Sequence, residues 1–389
     1  MRVDSIQEAI RDAGLDGWLF FDHHRRDPLA YRILRIPSEV MPTRRWYYFI
    51  PAKGEPRKLV HRIESAALDS LPGLKQAYAS WQEQQSHLAA LIARAGRIAM
   101  QYSPNCAIPY VSMVDAGTIE LIRGTGVDIV SSADLIQRFE AVWSSQQLDL
   151  HLEAGRLVDQ TRRDAFDLIR NRRQAKQALN EYEVQQFILN RFRESQLVTD
   201  HGPIVAVNEN ASNPHYEPTC EHYSHIQAGD VVLIDLWAKR DVPDAVYYDI
   251  TWTGFCGDHV PDQIQNVFHV VKTARERAAS FAVEKSAKGE RFRGFEIDDI
   301  ARGVITQEGY GDYFFHRTGH SLGAEVHGTG ANMDNLESHD ERVVLPGCCF
   351  TIEPGIYLPE FGIRSEINVF VNTDSARITG EEQKTLVPL

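Results

Sequence analysis

Acidic residues embedded in apolar, strand-like runs constrain this chain more than any other feature of its sequence. Val231-Val232-Leu233-Ile234-Asp235-Leu236-Trp237 and Tyr247-Tyr248-Asp249-Ile250-Thr251 each carry an aspartate, and Thr351-Ile352-Glu353-Pro354-Gly355 and Gly362-Ile363-Arg364-Ser365-Glu366 each carry a glutamate. His316-Arg317-Thr318-Gly319-His320 adds histidines in a similar setting. An ionised carboxylate withdrawn from water costs on the order of several kcal/mol unless a positive group meets it. One arginine cannot balance four carboxylates, whereas a pair of divalent cations would. The pattern therefore implies a metal-dependent hydrolase.

With period 2, Val231, Leu233, Asp235 and Trp237 share one strand face and Val232, Ile234 and Leu236 the other, so Asp235 is expected in a strand covered on both sides. Tyr247, Asp249 and Thr251 share a face of the next strand, which lets Thr251 orient the Asp249 carboxylate. The segment Arg240 to Tyr248, with Asp241, Pro243 and Asp244, reads as a hairpin turn that brings the two aspartates side by side. Arg364, Glu366 and Asn368 share a face of the last strand. Hard oxygen donors with one imidazole suit manganese, cobalt, zinc or iron.

Charge follows the same division. Residues 1–143 carry 17 Lys and Arg against 16 Asp and Glu, whereas 144–389 carry 24 against 38. Acidity thus gathers where the candidate ligands lie, which argues against nucleic-acid binding and fits cation binding. No run approaches the roughly 18 apolar residues of a membrane span. The start, Met1-Arg2-Val3-Asp4-Ser5, has no apolar core of a signal peptide. Cys106, Cys220, Cys256, Cys348 and Cys349 show no CxxC spacing, so reduced thiols and a cytoplasmic setting are expected.

Two domains are expected, 1–143 and 144–389. In the first, a helix over Ser5–Leu15, strands at Gly17–Phe21, Arg45–Ile50, Arg97–Gln101 and Val127–Val130, and a helix near Val111–Ile122 give an α/β domain without a catalytic constellation. His23-His24-Arg25-Arg26 stands in a polar loop, either solvated surface or the lining of a neighbouring cleft. In the second, Ser144 opens a long helix, Asn180 and Glu183 form a capping box for a helix through Phe192, and helical patterns follow at 260–287 and 294–307.

Asp235, Asp249, His320, Glu353 and Glu366, in this order and local wording, resemble the five metal ligands of the pita-bread metallopeptidases, the group of methionine aminopeptidase, aminopeptidase P, prolidase and the metal-free creatinase. The resemblance is strong over 150–389, and the preceding region resembles the α/β domain of creatinase, prolidase and aminopeptidase P. It implies an α+β pita-bread catalytic domain behind a smaller creatinase-type domain. It implies two divalent ions, manganese first, with Asp235 on one ion, Asp249 and Glu366 bridging both, and His320 and Glu353 each on one. It further implies a metal-activated water whose proton Glu353 handles, His327 and His215 in the substrate cleft stabilising developing charge, and Arg364 orienting the site or binding a substrate carboxylate. His316, His222 and His225 are left as neighbours.

The activity implied is hydrolysis of the bond between an N-terminal residue and proline, as an Xaa-Pro aminopeptidase or dipeptidase, in a homo-oligomer, most simply a dimer. Alternatives are a peptidase of the same fold with a non-proline substrate, a creatinase-like C–N hydrolase, and a binding protein without activity. The sequence departs from the family pattern in places. The aspartates stand 14 positions apart, a longer interval than usual; Val246-Tyr247-Tyr248 and Thr251-Trp252-Thr253 replace the usual neighbours of the second aspartate, and Ile367 follows Glu366 where an acidic residue is usual. No ligand is lost, but the hairpin beside the cleft is altered, which leaves substrate preference open.

Overall fold

The computed structural model describes residues 3–37 and 39–389, and the chain divides into two compact units, Met1–Glu140 and Ala141–Leu389. The first unit runs α1 (Val3–Asp12), β1 (Gly17–Asp22), α2 (Pro28–Leu34), β2 (Trp46–Pro51), β3 (Arg57–His61), β4 (Leu74–Tyr78), α3 (Trp81–Leu91), β5 (Arg97–Met100), α4 (Ala116–Arg123), β6 (Asp128–Ser131) and α5 (Ala133–Ile136). Its six strands form one sheet in the order β4-β3-β2-β1-β5-β6. Alternation along β1 explains how both faces are covered. Trp18 and Phe20 pack with Ile6, Ile10 and Leu29 from α1 and α2, while Leu19 and Phe21 pack with Leu88 and Ile119 from α3 and α4. The sheet is mixed, because β2 is antiparallel to both β1 and β3 while the other pairs are parallel.

The second unit opens with α6 (Ser145–Gln174), capped by a box of Ser144 with Gln147, and α7 (Glu181–Glu194), capped by the expected box of Asn180 with Glu183. Then come β7 (Leu197–Val198), β8 (Ile204–Val207), β9 (Val231–Arg240), β10 (Tyr248–Phe255), α8 (Asp262–Ala287), α9 (Gly294–Gln307), β11 (Ser321–Leu322), β12 (Cys349–Ile352), β13 (Gly355–Tyr357), β14 (Gly362–Arg364), β15 (Ile367–Val371), β16 (Ala376–Thr379) and β17 (Val387–Pro388). One sheet has the order β17-β10-β9-β7 with β8 also on β9, a second the order β11-β12-β15-β16, and β13-β14 is a separate hairpin. This is the α+β pita-bread architecture with a smaller α/β unit ahead of it.

Alternation again assigns the faces of β9 and β10. Val232, Ile234, Leu236, Tyr248 and Ile250 pack with Ala154, Val158, Val184 and Ile188 of α6 and α7. Asp235, Asp249 and Thr251 point the other way. A second core, under α8 and α9, unites Val267, Val271, Ile297 and Ala301 with Phe350, Ile352, Ile363 and Ile367. The acidic residues stand between these two apolar bodies. No described helix is long and apolar enough to cross a membrane.

Candidate metal centre

Five of the expected ligands arrive from five places on three strand assemblies. Asp235 and Asp249 lie within β9 and β10, paired antiparallel so that Asp235 faces Thr251 and Asp249 faces Trp237 across the ladder. The aspartates are therefore diagonal neighbours on one face rather than a direct pair. His320 immediately precedes β11, Glu353 immediately follows β12, and Glu366 sits in the two-residue break between β14 and β15. His320 reaches this position because Gly319 lets two backbones approach: a Cβ there would fall 2.0 Å from the Thr351 carbonyl oxygen. Amide hydrogen bonds from Thr351 to His320 O (2.8 Å) and from Glu353 to Thr318 O (2.7 Å) fasten the two segments together.

Ligand atoms of Asp249, His320 and Glu366 lie within 4.8 Å of one another, and all three residues are buried. His320 Nε2 stands 3.6 Å from Asp249 Oδ2 and 3.4 Å from Glu353 Oε1. Its Nδ1 is 3.2 Å from the Ser321 carbonyl oxygen. That oxygen only accepts, so Nδ1 carries the proton and Nε2 presents a lone pair to the carboxylates. Arg364 donates to Asp235 Oδ2 (2.6 Å) and to Thr251 Oγ1 (3.1 Å), and lies 4.0 Å from Glu353 Oε2.

The electrostatics are those of too many acids in one dry place. Burial first, then the charges of Asp235 and Glu353, hold the Asp249 carboxyl well above its usual range. Glu366 is raised in the same direction by burial and then by Asp249, Glu353 and Asp235. Burial pushes Glu353 up to about 7, with Arg364 pulling it back and Asp235 raising it further. His320 is held well below its normal value by burial and by its neighbours His327 and Arg317, so it is neutral.

These residues fit a divalent-cation site. Asp235 Oδ1, Asp249 Oδ1 and Glu366 Oε1 are buried and have no hydrogen-bond partner. Buried polar atoms are nearly always satisfied, and orphaned carboxylate oxygens on Asp235, Asp249 and Glu366, the last two clustered with a neutral imidazole, are the donor set of a hard or borderline metal ion.

Residues 149–373 match the pattern of metallopeptidase family M24. The chain belongs to that family. Among curated M24 relatives, the Xaa-Pro dipeptidase of Lactobacillus delbrueckii subsp. lactis is 29% identical over 235 residues, covering 60% of this chain and 58% of that protein. The Xaa-Pro dipeptidase of Pyrococcus furiosus is 35% identical over 186 residues, 47% of this chain and 48% of that one. The chain thus spans about half the length of these curated relatives in each match. Among solved structures, the dipeptidase PepE of Mycobacterium ulcerans superimposes with a TM-score of 0.73 at 22% identity, over 100% of this chain and 97% of that one. The dipeptidase of Pyrococcus horikoshii OT3 gives 0.66 at 24%, over the whole of both. At these identities the likeness is one of fold.

Around the M24 centre, the structure places the remaining expected residues unequally. The His327 ring packs edge-on to His320 at 4.5 Å between centroids. Burial, then Arg317, lower His327 to about 4, so it too is neutral. His215 is on an exposed loop, its amide held by Asn213 Oδ1 (3.1 Å). His222 and His225 are exposed. Thr251 differs from its expected role: its hydroxyl donates to Glu366 Oε2 (2.8 Å), not to Asp249, because the Glu366 amide bonds the Thr251 carbonyl and brings that glutamate alongside.

Several contributors were not legible. Tyr357 hydroxyl lies 2.6 Å from His316 Nε2 and accepts from Arg364 (3.0 Å), linking His316 through the arginine to Asp235. Asp298, wholly buried on α9, accepts from both the amide (2.9 Å) and hydroxyl (2.7 Å) of Thr318, which fixes the segment before His320. The one signal for Asp298 is an acid on the inward face of an amphipathic helix. Asp200 accepts from Trp237 Nε1 (2.7 Å) at the exposed margin, with nothing local in its sequence to mark it.

Proposed function

We propose that this protein is a peptidase that hydrolyses the bond between an N-terminal residue and proline, using two divalent cations held by Asp235, Asp249, His320, Glu353 and Glu366. The observation that carries the reading is the convergence of Asp249 and Glu366, each with an orphaned buried oxygen, on the neutral His320, with a further orphaned oxygen on Asp235. When bound, the ions would polarise the scissile carbonyl and lower the pKa of water. Manganese as the resident ion and a dimeric assembly are further parts of this reading.

The protein's own groups have distinct tasks in it. Glu353, with Oε1 3.4 Å from His320 Nε2, is the carboxylate placed to take up and return a proton. His327, neutral and beside His320, can donate a hydrogen bond to a developing oxyanion without adding a charge. His215 would serve the same purpose from the loop. Arg364 orients Asp235 through its hydrogen bond to Oδ2. Proline at the cleaved bond supplies a tertiary amide with no N–H, so binding must rely on shape and on the other groups of the peptide. A non-proline substrate is the second reading, favoured by Trp237 and Tyr247, which pack into one cluster beside Val326 where the hairpin departs from the family wording.

The test is hydrolysis of Xaa-Pro, Xaa-Pro-Yaa and Xaa-Ala peptides by metal-stripped protein with and without manganese. Metal-restored cleavage before proline is expected, and the dipeptide-to-tripeptide ratio separates dipeptidase from aminopeptidase. Glu353→Gln and Asp249→Ala should each lower kcat by at least about a hundredfold; near-wild-type turnover in either sinks the assignment.

A further inference from the structure

The first unit, which the reading above leaves without a chemical task, concentrates positive charge at one edge of its sheet. β1, β3, β4, β5 and β6 all run in one direction and β2 in the other. The carboxyl ends of β1, β3 and β4 and the start of β2 therefore share an edge. Open α/β sheets bind ligands at that edge. A cavity of about 430 Å³ opens there, lined among others by His23 after β1, Arg26, Arg44 and Arg45 before β2, His61 ending β3, and Trp81 at the start of α3.

Three arginines face this cavity against one lining carboxylate, Asp115. The Arg45 guanidinium meets Tyr78, Arg44 meets the Thr43 hydroxyl (2.8 Å) and acts on Glu64, and Arg26 acts on Asp115, but among the described residues none of the three forms a close ion pair. The nearby acids keep their charge, but their oxygens are engaged by neutral donors of the backbone and of hydroxyls. Asp22 accepts from the amides of Arg25, Arg26 and Asp27 and from the Tyr31 hydroxyl. Glu64 accepts from the amides of Thr43 and Arg44. Glu83 accepts from those of Ala79 and Ser80. Asp115 lines the cavity but caps α4 through the amide and hydroxyl of Thr118. Ser80 and Asp115 also mark the amino ends of α3 and α4, whose dipoles add positive potential at the same edge. Burial and then the charges of His24, Arg26 and Arg45 lower the pKa of His23. Three guanidinium groups facing one cavity, none in a close ion pair, offer donors that an external anion can fill.

We propose that this cavity binds a small, multiply charged anion, bearing carboxylate or phosphate groups, through Arg26, Arg44 and Arg45. Planar guanidinium forks pair with either group in bidentate fashion. The volume, at the small end of ligand pockets, admits a metabolite-sized molecule and not a polymer. The near-zero net charge of residues 1–143 argues against a nucleic acid.

The experiment is calorimetric titration of the full chain with inorganic phosphate and with citrate, at constant ionic strength set by sodium chloride. Saturable binding of at least one, with Kd below about 1 mM, is expected. Preference for phosphate or for citrate identifies the group recognised. Arg26→Ala and Arg45→Ala should each weaken that binding by about tenfold or more. Arg97→Ala, at the opposite edge where β5 begins, should not. Arg45→Lys keeps the charge without the fork and should bind with intermediate affinity, which a loss of fold would not produce. Absence of saturation by both anions up to about 10 mM, equal binding in the Arg26 and Arg45 variants, or equal weakening in Arg97→Ala would overturn the proposal. Peptide hydrolysis is not the readout, so this result stands apart from the reading of the metal centre.

Discussion

His151 makes acid sensitivity of the second unit calculable. It is fully buried on α6, with Nδ1 2.8 Å from the Tyr247 carbonyl oxygen and Nε2 2.7 Å from Thr379 Oγ1. The carbonyl requires a proton on Nδ1, so Nε2 accepts from the threonine and the ring is neutral. Burial lowers its pKa from 6.5 to about 4. The unfolded chain takes up a proton as pH falls through 6.5 while the native protein does not. The stabilisation is therefore complete above that pH and is lost as pH falls toward 4. Linkage between these two values makes His151 alone responsible for about 2 kcal/mol of lost stability between pH 7 and pH 5. His151→Gln keeps a donor and an acceptor but cannot titrate. The variant should be less stable at pH 7 by about 1–2 kcal/mol through imperfect packing, and the gap should close by about 2 kcal/mol at pH 5. The assay is urea denaturation of metal-free protein at both pH values, followed by tryptophan fluorescence; Trp143, whose ring lies 5.0 Å from that of His151, is one reporter. His316 and the other buried histidines are common to both proteins and cancel. Equal acid sensitivity in the two proteins would refute the reasoning.

Two further outcomes follow from the geometry. Thr251→Val keeps shape but strips the hydroxyl that holds Glu366 and receives Arg364, so affinity for manganese should fall by about 10–100-fold in a metal titration; unchanged affinity would mean that the hydroxyl does not orient the carboxylate. Gly155→Ala would set a Cβ 2.7 Å from the Tyr248 ring, costing about 1–3 kcal/mol by overpacking. A lowered melting midpoint, together with weaker metal binding because Asp249 adjoins Tyr248, is expected, and an unshifted midpoint would show that the ring has room to move.

Local signals carried much of the fold. The Asn180 and Glu183 capping box fixed the start of α7, and the helical patterns at 260–287 and 294–307 correspond to α8 and α9 within two residues at each end. The strand around Asp235 was legible because both of its faces are apolar, whatever packs on them. What escaped notice lacked either periodicity or uniqueness. β4 is largely exposed, with a burial pattern that gives no alternation. α3 follows a Ser80 and Glu83 capping box that was present but unread, because its apolar face is short. At the candidate centre, the residue types were readable from sequence because buried charge is conspicuous. The bond from Thr251 to Glu366 and the link from His316 through Tyr357 to Arg364 were not, since they join residues 115 and 41 positions apart or depend on which way a hydroxyl turns.

The hairpin joining β9 to β10 has an evolutionary corollary. A strand counts its residues in twos, whereas a turn does not count them at all. One residue inserted in β10 ahead of Asp249 would swing that carboxylate toward α6 and carry Tyr248 into the acidic cluster. The same insertion at 241–244 leaves every cross-strand pair from Tyr248 onward in register. The interval between the two aspartates is thus an adjustable length on an otherwise rigid part. The rim can be lengthened, shortened or given new side chains to suit another substrate while the reactive groups beneath it stay where they are.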